Sequence, residues 1–224
     1  MRDADNIREV TQLGVDWIGF VFWADSPRFV RQISSRAGII PDYSSLEHVD
    51  FNEKSTKQQV SKVKKVGVFV DDMPQNIVTR VVNYHLDIIQ LQGSESRIMV
   101  DNLRRTLDPD IRPGIQIMKS LTLQCADDLE KCKEYEGSVD YFLFDIRTKN
   151  QNVEDSTTDW SIVDSYKGNI PFILSGDIGP NDVELVKSFR HPLLAGIELN
   201  SCFESEPAMK DVELIRKFIV NLRG

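Results

Sequence analysis

The chain has 224 residues, 41% of them hydrophobic and 28% charged, with a formal net charge of −8. That apolar content is too high, and that charge too modest, for a disordered chain. The acidic balance argues against a nucleic-acid partner, because such proteins carry a basic face. No apolar run approaches the roughly 18–20 residues that cross a bilayer, and the charged opening MRDADNIREV does not read as a signal peptide. No membrane partner is expected.

In chain order, a helix is expected over 5–13, where Ile7, Val10 and Leu13 recur at helical spacing. A strand follows at 16–22 (DWIGFVF). Residues 34–62 are long and polar and read as a surface excursion with a short helix. Next come a strand at 63–70 (VKKVGVFV) and a helix at 74–84 that opens on Pro74, a residue suited to the first helical position. Further strands are expected at 87–91, 111–119 and 140–145 (DYFLFD), the last followed by a polar loop at 147–158. The chain closes with a strand at 171–175, a helix at 180–189 carrying Val183, Val186 and Phe189, a strand at 194–199 and a helix at 211–222.

Most of these strands are near-continuous apolar runs, as in parallel sheets covered on both faces. Alternating strands and helices fit either an open doubly wound sheet or a (β/α)8 barrel, within one domain over 1–224. No G-x-G-x-x-G follows an early strand, which disfavours a dinucleotide fold. A barrel would need one more strand, ahead of Met1. Cys125, Cys132 and Cys202 lack C-x-x-C spacing and read as free thiols in a reducing cytoplasm. His48, His85 and His191 are scattered, so no metal site is expected.

In parallel α/β barrels, function collects where strands end. The first strand runs into Ser26-Pro27-Arg28, where Arg28 is either a bidentate carboxylate holder or a solvated surface side chain. Asp145 closes an apolar strand, where burial suits a carboxyl to general-acid work, although a loop or capping carboxylate reads the same. Ser175-Gly176-Asp177 precedes a helix and offers backbone N–H groups to an anion, or is an ordinary turn. Asn200 and Ser201, after the last strand, add donors to the same place.

Taken together and in this order, these segments resemble the phosphoribosylanthranilate isomerase family. The shared residues run nearly end to end: Ile18-Gly19-Phe20-Val21-Phe22, Ser26-Pro27-Arg28, Val66-Gly67-Val68-Phe69-Val70, Gly93 with Glu95-Ser96, Phe142-Leu143-Phe144-Asp145, Ser175-Gly176 and Asn200-Ser201 with Phe203-Glu204. The resemblance implies a (β/α)8 barrel that carries out a cofactor-free Amadori rearrangement of a phosphorylated sugar-anthranilate. It casts Asp145 as the general acid, puts Arg28 and Gln92 on substrate, and puts Gly176, Asp177, Asn200 and Ser201 around the phosphate.

Four departures fall on functional positions. The family's opening strand, K-[IV]-C-G-[ML]-[RT], carries the general-base cysteine; Met1-Arg2-Asp3 matches only its end. The Ser-Gly-Gly turn reads Ser175-Gly176-Asp177, residues 151–158 hold no glycine, and the usual histidine is Gln92. Two readings follow: a start further upstream that restores the cysteine, or an inactive paralogue that binds another small ligand. In the chain as given, a barrel would stand without its first strand, and the exposed edges would call for closure of the flanking strands or pairing with a second copy as a homodimer.

Overall fold

The computed structural model describes residues 1–35, 38–41, 63–146 and 160–224. The chain runs α1 (Ala4–Thr11), β1 (Trp17–Val21), β2 (Gln32–Ser35), β3 (Gly38–Pro41), β4 (Lys64–Phe69), α2 (Pro74–Tyr84), β5 (Ile88–Leu91), α3 (Arg97–Leu107) and β6 (Gln116–Leu123). It continues with β7 (Tyr141–Ile146), β8 (Phe172–Ser175), α4 (Val183–Ser188), β9 (Leu194–Ile197), β10 (Glu204–Glu206), β11 (Met209–Lys210) and α5 (Val212–Arg223). Two 3-10 helices, Ala126–Tyr135 and Trp160–Ser165, follow β6 and β7.

Seven strands form one parallel sheet in the order β1-β4-β5-β6-β7-β8-β9, so each pairs with the next sheet strand in sequence. The sheet curls: Trp17 on β1 meets Tyr141 on β7, four places away, with ring centroids 5.1 Å apart. Curling divides each strand's side chains into two sets. Val66, Ile88, Met118, Leu143 and Ile173 point inward into one small cluster. Residues of the opposite face of the same strands, among them Phe69, Ile89, Ile117, Phe142, Phe144 and Phe172, pack outward in one core with Ile7, Ile77, Val81, Val100 and Leu103 of the helices. This double coverage is why the strands read as unbroken apolar runs.

Several expectations need correction. The strand expected at 111–119 forms at Gln116–Leu123. Residues ahead of it close α3 instead: Ile111 N–H donates to Leu107 O at 2.9 Å, and Gly114 takes φ +73. Residues 97–107 were not expected to be helical, yet α3 forms there, capped by Ser96 accepting from Met99 N–H. The helix expected at 180–189 is confined to Val183–Ser188, because Asp182 Oδ2 accepts from Gly179 N–H at 2.6 Å and holds the preceding segment in a turn. Where a polar excursion was read from residue 34, β2 and β3 form an antiparallel hairpin; 36–37, 42–62 and the loop at 147–158 lie outside the described residues. Closure of the flanking strands is not formed: β1 and β9 are the two ends of the sheet. Among the described residues no helix is long and apolar enough to cross a membrane.

Candidate active site

A parallel sheet brings all its strand C-termini to one rim, and the inward-facing residues there line the mouth. Asp145 and Ser175 sit side by side in the β7–β8 register, each alternating with outward-facing phenylalanine or leucine. Glu198 follows β9 directly, its backbone N–H donating to Leu174 O at 2.7 Å. Its side-chain Oε2 accepts from the Ser175 hydroxyl at 2.6 Å. A row of two carboxyls around one serine therefore crosses β7, β8 and β9.

Beside this row stands a charged cluster. Arg28 Nε donates to both Glu204 oxygens, at 3.0 and 2.8 Å. Lys210 Nζ lies 3.3 Å from Glu204 and donates to the carbonyls of Leu199 and Asn200, and to Asn200 Oδ1 at 3.2 Å. The β10–β11 hairpin turns the chain back so that Glu204 faces Lys210. Burial works against the Glu204 charge, but the Arg28 hydrogen bonds and Lys210 outweigh it and hold the carboxyl below its usual range. Burial lowers the Lys210 ammonium despite Glu204. Arg28 thus has its Nε fork committed to a protein carboxylate, which fixes the orientation of the guanidinium.

The remaining expected site residues are spread around the same rim. Gln92, exposed after β5, is held by its backbone N–H on Phe69 O at 2.9 Å. Gly176 takes φ +112, and a Cβ there would collide with the Ile146 carbonyl, so the turn after β8 requires glycine at this point. Asp177 is exposed at φ +41. Ser201 opens a single 3-10 turn, Ser201–Phe203, behind Asn200. Of the cysteines, Cys125 and Cys202 are exposed, while burial pushes the Cys132 thiol up to about 12. Among the described residues, no group of three or more His, Cys, Asp or Glu side chains could hold a metal.

Glu198, Glu204 and Lys210 were missed from sequence. Glu198 carried a readable signal, since it ends the apolar run LAGIEL just as Asp145 ends DYFLFD. Burial raises the Glu198 carboxyl above its usual range, although Ser175 and Lys210 oppose the shift. A carboxyl raised by folding gives stability that is full below its unfolded pKa and is lost as pH rises through the folded value. The Glu198→Gln protein is therefore expected to lose less stability than the parent between mildly acid and neutral pH, read from urea midpoints across that range.

The family model for N-(5'-phosphoribosyl)anthranilate (PRA) isomerase matches residues 24–221. The N-(5'-phosphoribosyl)anthranilate isomerase of Parabacteroides distasonis is 39% identical over 219 residues, covering 98% of this chain and 89% of that protein. Its counterpart from Phocaeicola vulgatus is 33% identical over 223 residues, covering 100% and 95%. Among solved structures, the Thermotoga maritima phosphoribosyl anthranilate isomerase aligns with TM-score 0.73 at 23% identity, covering 100% of this chain and 96% of that one. A second structure from such an isomerase, in complex with reduced 1-(o-carboxyphenylamino)-1-deoxyribulose 5-phosphate, aligns with TM-score 0.72 at 21% identity, covering 100% and 95%. Those two likenesses are of fold. The family model and the two relatives match nearly the whole chain, and on them the chain belongs to the N-(5'-phosphoribosyl)anthranilate isomerase family.

Proposed function

We propose that this protein converts N-(5-phosphoribosyl)anthranilate to its 1-deoxyribulose 5-phosphate isomer in tryptophan biosynthesis, as a single-domain cytoplasmic enzyme over 1–224. The observation that carries this reading is the row Asp145–Ser175–Glu198 at the sheet's C-terminal rim, in a chain of this family. Asp145 donates the proton that opens the ribose ring at its oxygen, leaving a Schiff base. Arg28 and Gln92 face the anthranilate end. The backbone at Gly176, Asp177, Asn200 and Ser201 takes the phosphate. The architecture we propose is a (β/α)8 barrel in which the position between β1 and β9 belongs to the first strand. By resemblance, that strand carries the cysteine that removes the C2′ proton. Pairing of two copies into a homodimer belongs to the same proposal.

Complementation of an isomerase-deficient tryptophan auxotroph tests it. Growth on expressing this chain, or this chain preceded by a cysteine-bearing first strand, is the expected result. No growth from either would refute the activity.

Asp177 sets a second test. Unit charges about 4 Å apart repel by about 1 kcal/mol in water and about 4 kcal/mol at an effective dielectric near 20. Glycine is at ease at positive φ, so Asp177→Gly keeps the turn and removes the charge. At least roughly fivefold tighter binding of the phosphorylated analogue is expected by calorimetry; unchanged affinity would place this carboxylate away from the phosphate.

A further inference from the structure

Lys210 stands between two parts of the rim assigned above to opposite ends of a substrate, the Asn200-Ser201 turn and Arg28. Its backbone is fixed from α1. Asn6, itself buried, donates from Nδ2 to Lys210 O at 2.8 Å, and its Oδ1 accepts from Lys210 N–H at 2.9 Å. The Lys210 side chain is 10% exposed. Its Nζ lies 3.1 Å from Leu199 O, 3.0 Å from Asn200 O, 3.2 Å from Asn200 Oδ1 and 3.3 Å from Glu204 Oε1. Four acceptors share the three protons of one ammonium, so Lys210 is fully committed to the protein.

This commitment aims the turn. The Leu199–Asn200 and Asn200–Ser201 peptides are trans, and in a trans peptide the N–H points opposite to the C=O. Two successive carbonyls gathered on one ammonium therefore turn the N–H groups of Asn200 and Ser201 away from it. Among the described residues neither N–H has a backbone acceptor. Successive N–H groups left open in this way are donors for an oxyanion.

On its other flank Lys210 faces the buried carboxylate of Glu204. Glu204 receives Arg28 through Nε, and through Nη2 at 2.5 Å, while Nη1 donates to no described residue. Arg28 is 25% exposed, which leaves its open nitrogen to meet a ligand carboxylate.

We propose that Lys210 is a positioning residue for both anionic ends of the substrate. It aims the Asn200 and Ser201 N–H groups at the phosphate and, through Glu204, holds Arg28 for the anthranilate carboxylate. Lys210 touches no substrate atom in this role; it sets the spacing between the two groups that do. The proposal rests on the substrate reading above and adds the residue that joins its two ends.

The test titrates the full chain with inorganic phosphate and with anthranilate, each alone, following the protein by NMR. Lys210→Met keeps the apolar stem and removes the donors. It is expected to weaken both probes by roughly tenfold, as the loss of several charge-assisted hydrogen bonds implies. Glu204→Gln leaves the ammonium on the two carbonyls, so it should weaken anthranilate alone, with phosphate changed less than about twofold. A merely structural lysine would lower the thermal midpoint without this split. A Lys210→Met chain that binds both probes as the parent does, or that loses one of them alone, would overturn the proposal. So would equal weakening of phosphate by Glu204→Gln. A second readout needs no ligand. The Arg28 Nε–H and the Phe203 N–H, which donates to Asn200 O at 3.1 Å, should both exchange with solvent roughly tenfold faster in Lys210→Met. Unchanged exchange at either one overturns the proposal. Should Lys210→Met prove insoluble, Asn6→Ala, which frees the Lys210 backbone, takes its place. Weakening of both probes by roughly threefold then upholds the role, and an effect on one or neither refutes it. A parent chain that binds neither probe would refute the substrate reading, and the exchange rates alone would then decide whether Lys210 couples the two ends.

Discussion

Asp145→Asn is expected to lower kcat by about 10²- to 10⁴-fold, the usual contribution of one positioned acid or base. The effect applies to whichever form of the chain supports growth of the auxotroph. Asp145 is held by the β7–β8 register opposite Ser175, and asparagine keeps its size and backbone place. The amide cannot deliver a proton to the ribose ring oxygen. In the proposed reaction other residues hold the anthranilate and phosphate ends, so KM should change little while kcat and kcat/KM fall together. A kcat within threefold or so of the parent would remove Asp145 from the acid's role. It would turn attention to Glu198 across Ser175, the second carboxyl of the same row.

The largest effect on stability is expected from Lys119→Met. Lys119 and Glu95 are each 2% exposed and lie 3.0 Å apart. Lys119 Nζ also donates to Gly93 O at 2.6 Å and lies 5.6 Å from the centre of the Tyr135 ring. The other Glu95 oxygen accepts from Asp71 N–H at 2.9 Å and Gly93 N–H at 3.1 Å. One buried pair therefore ties the loop after β4 to the loop after β5, close to Gln92. Removing the cation alone leaves a buried carboxylate without its counter-charge, which costs about 3–5 kcal/mol. At about 2–4 °C per kcal/mol for a chain of this size, the thermal midpoint should drop by roughly 10 °C. Adding Glu95→Gln should recover part of that loss, because the stranded charge is gone. A midpoint within a degree or so of the parent in the single variant would show that Glu95 finds compensation elsewhere.

Most strands of the main sheet were legible as apolar runs, because strands covered on both faces need apolar side chains at consecutive positions. Boundaries were lost where apolar residues serve a turn instead: Ile111 and Ile115 extended the reading of β6 towards the N-terminus, while its true end at Leu123 was missed. In α3, Val100, Leu103 and Leu107 lie at helical spacing, but between them stand Asp101, Asn102, Arg104 and Arg105, which mask the stripe. Arg28, Asp145, Gly176 and Asn200 drew attention in the sequence because each stands at or beyond the end of an apolar run. The partner of Arg28 was not. Glu204 lies 176 residues away, and the curl of the sheet together with the β10–β11 hairpin brings it to the guanidinium. Likewise Lys119 looked like an ordinary strand residue until the fold set Glu95 against it.

The edge-on contact between Trp17 and Tyr141 has an optical consequence. The two rings lie 5.1 Å apart at 74°, and Trp17 also lines a cavity of about 570 Å3 between β1 and β9. The chain has three tryptophans, of which Trp23 is exposed and Trp160 is buried on the far side of β7 against Phe189. With Trp23 and Trp160 changed to phenylalanine, the remaining emission comes from an indole on the wall of the cavity, excited in part through a tyrosine in contact with it. The colour of that emission would then register whether water or polypeptide lies beside β1, so the protein carries its own gauge of how far its ring is closed.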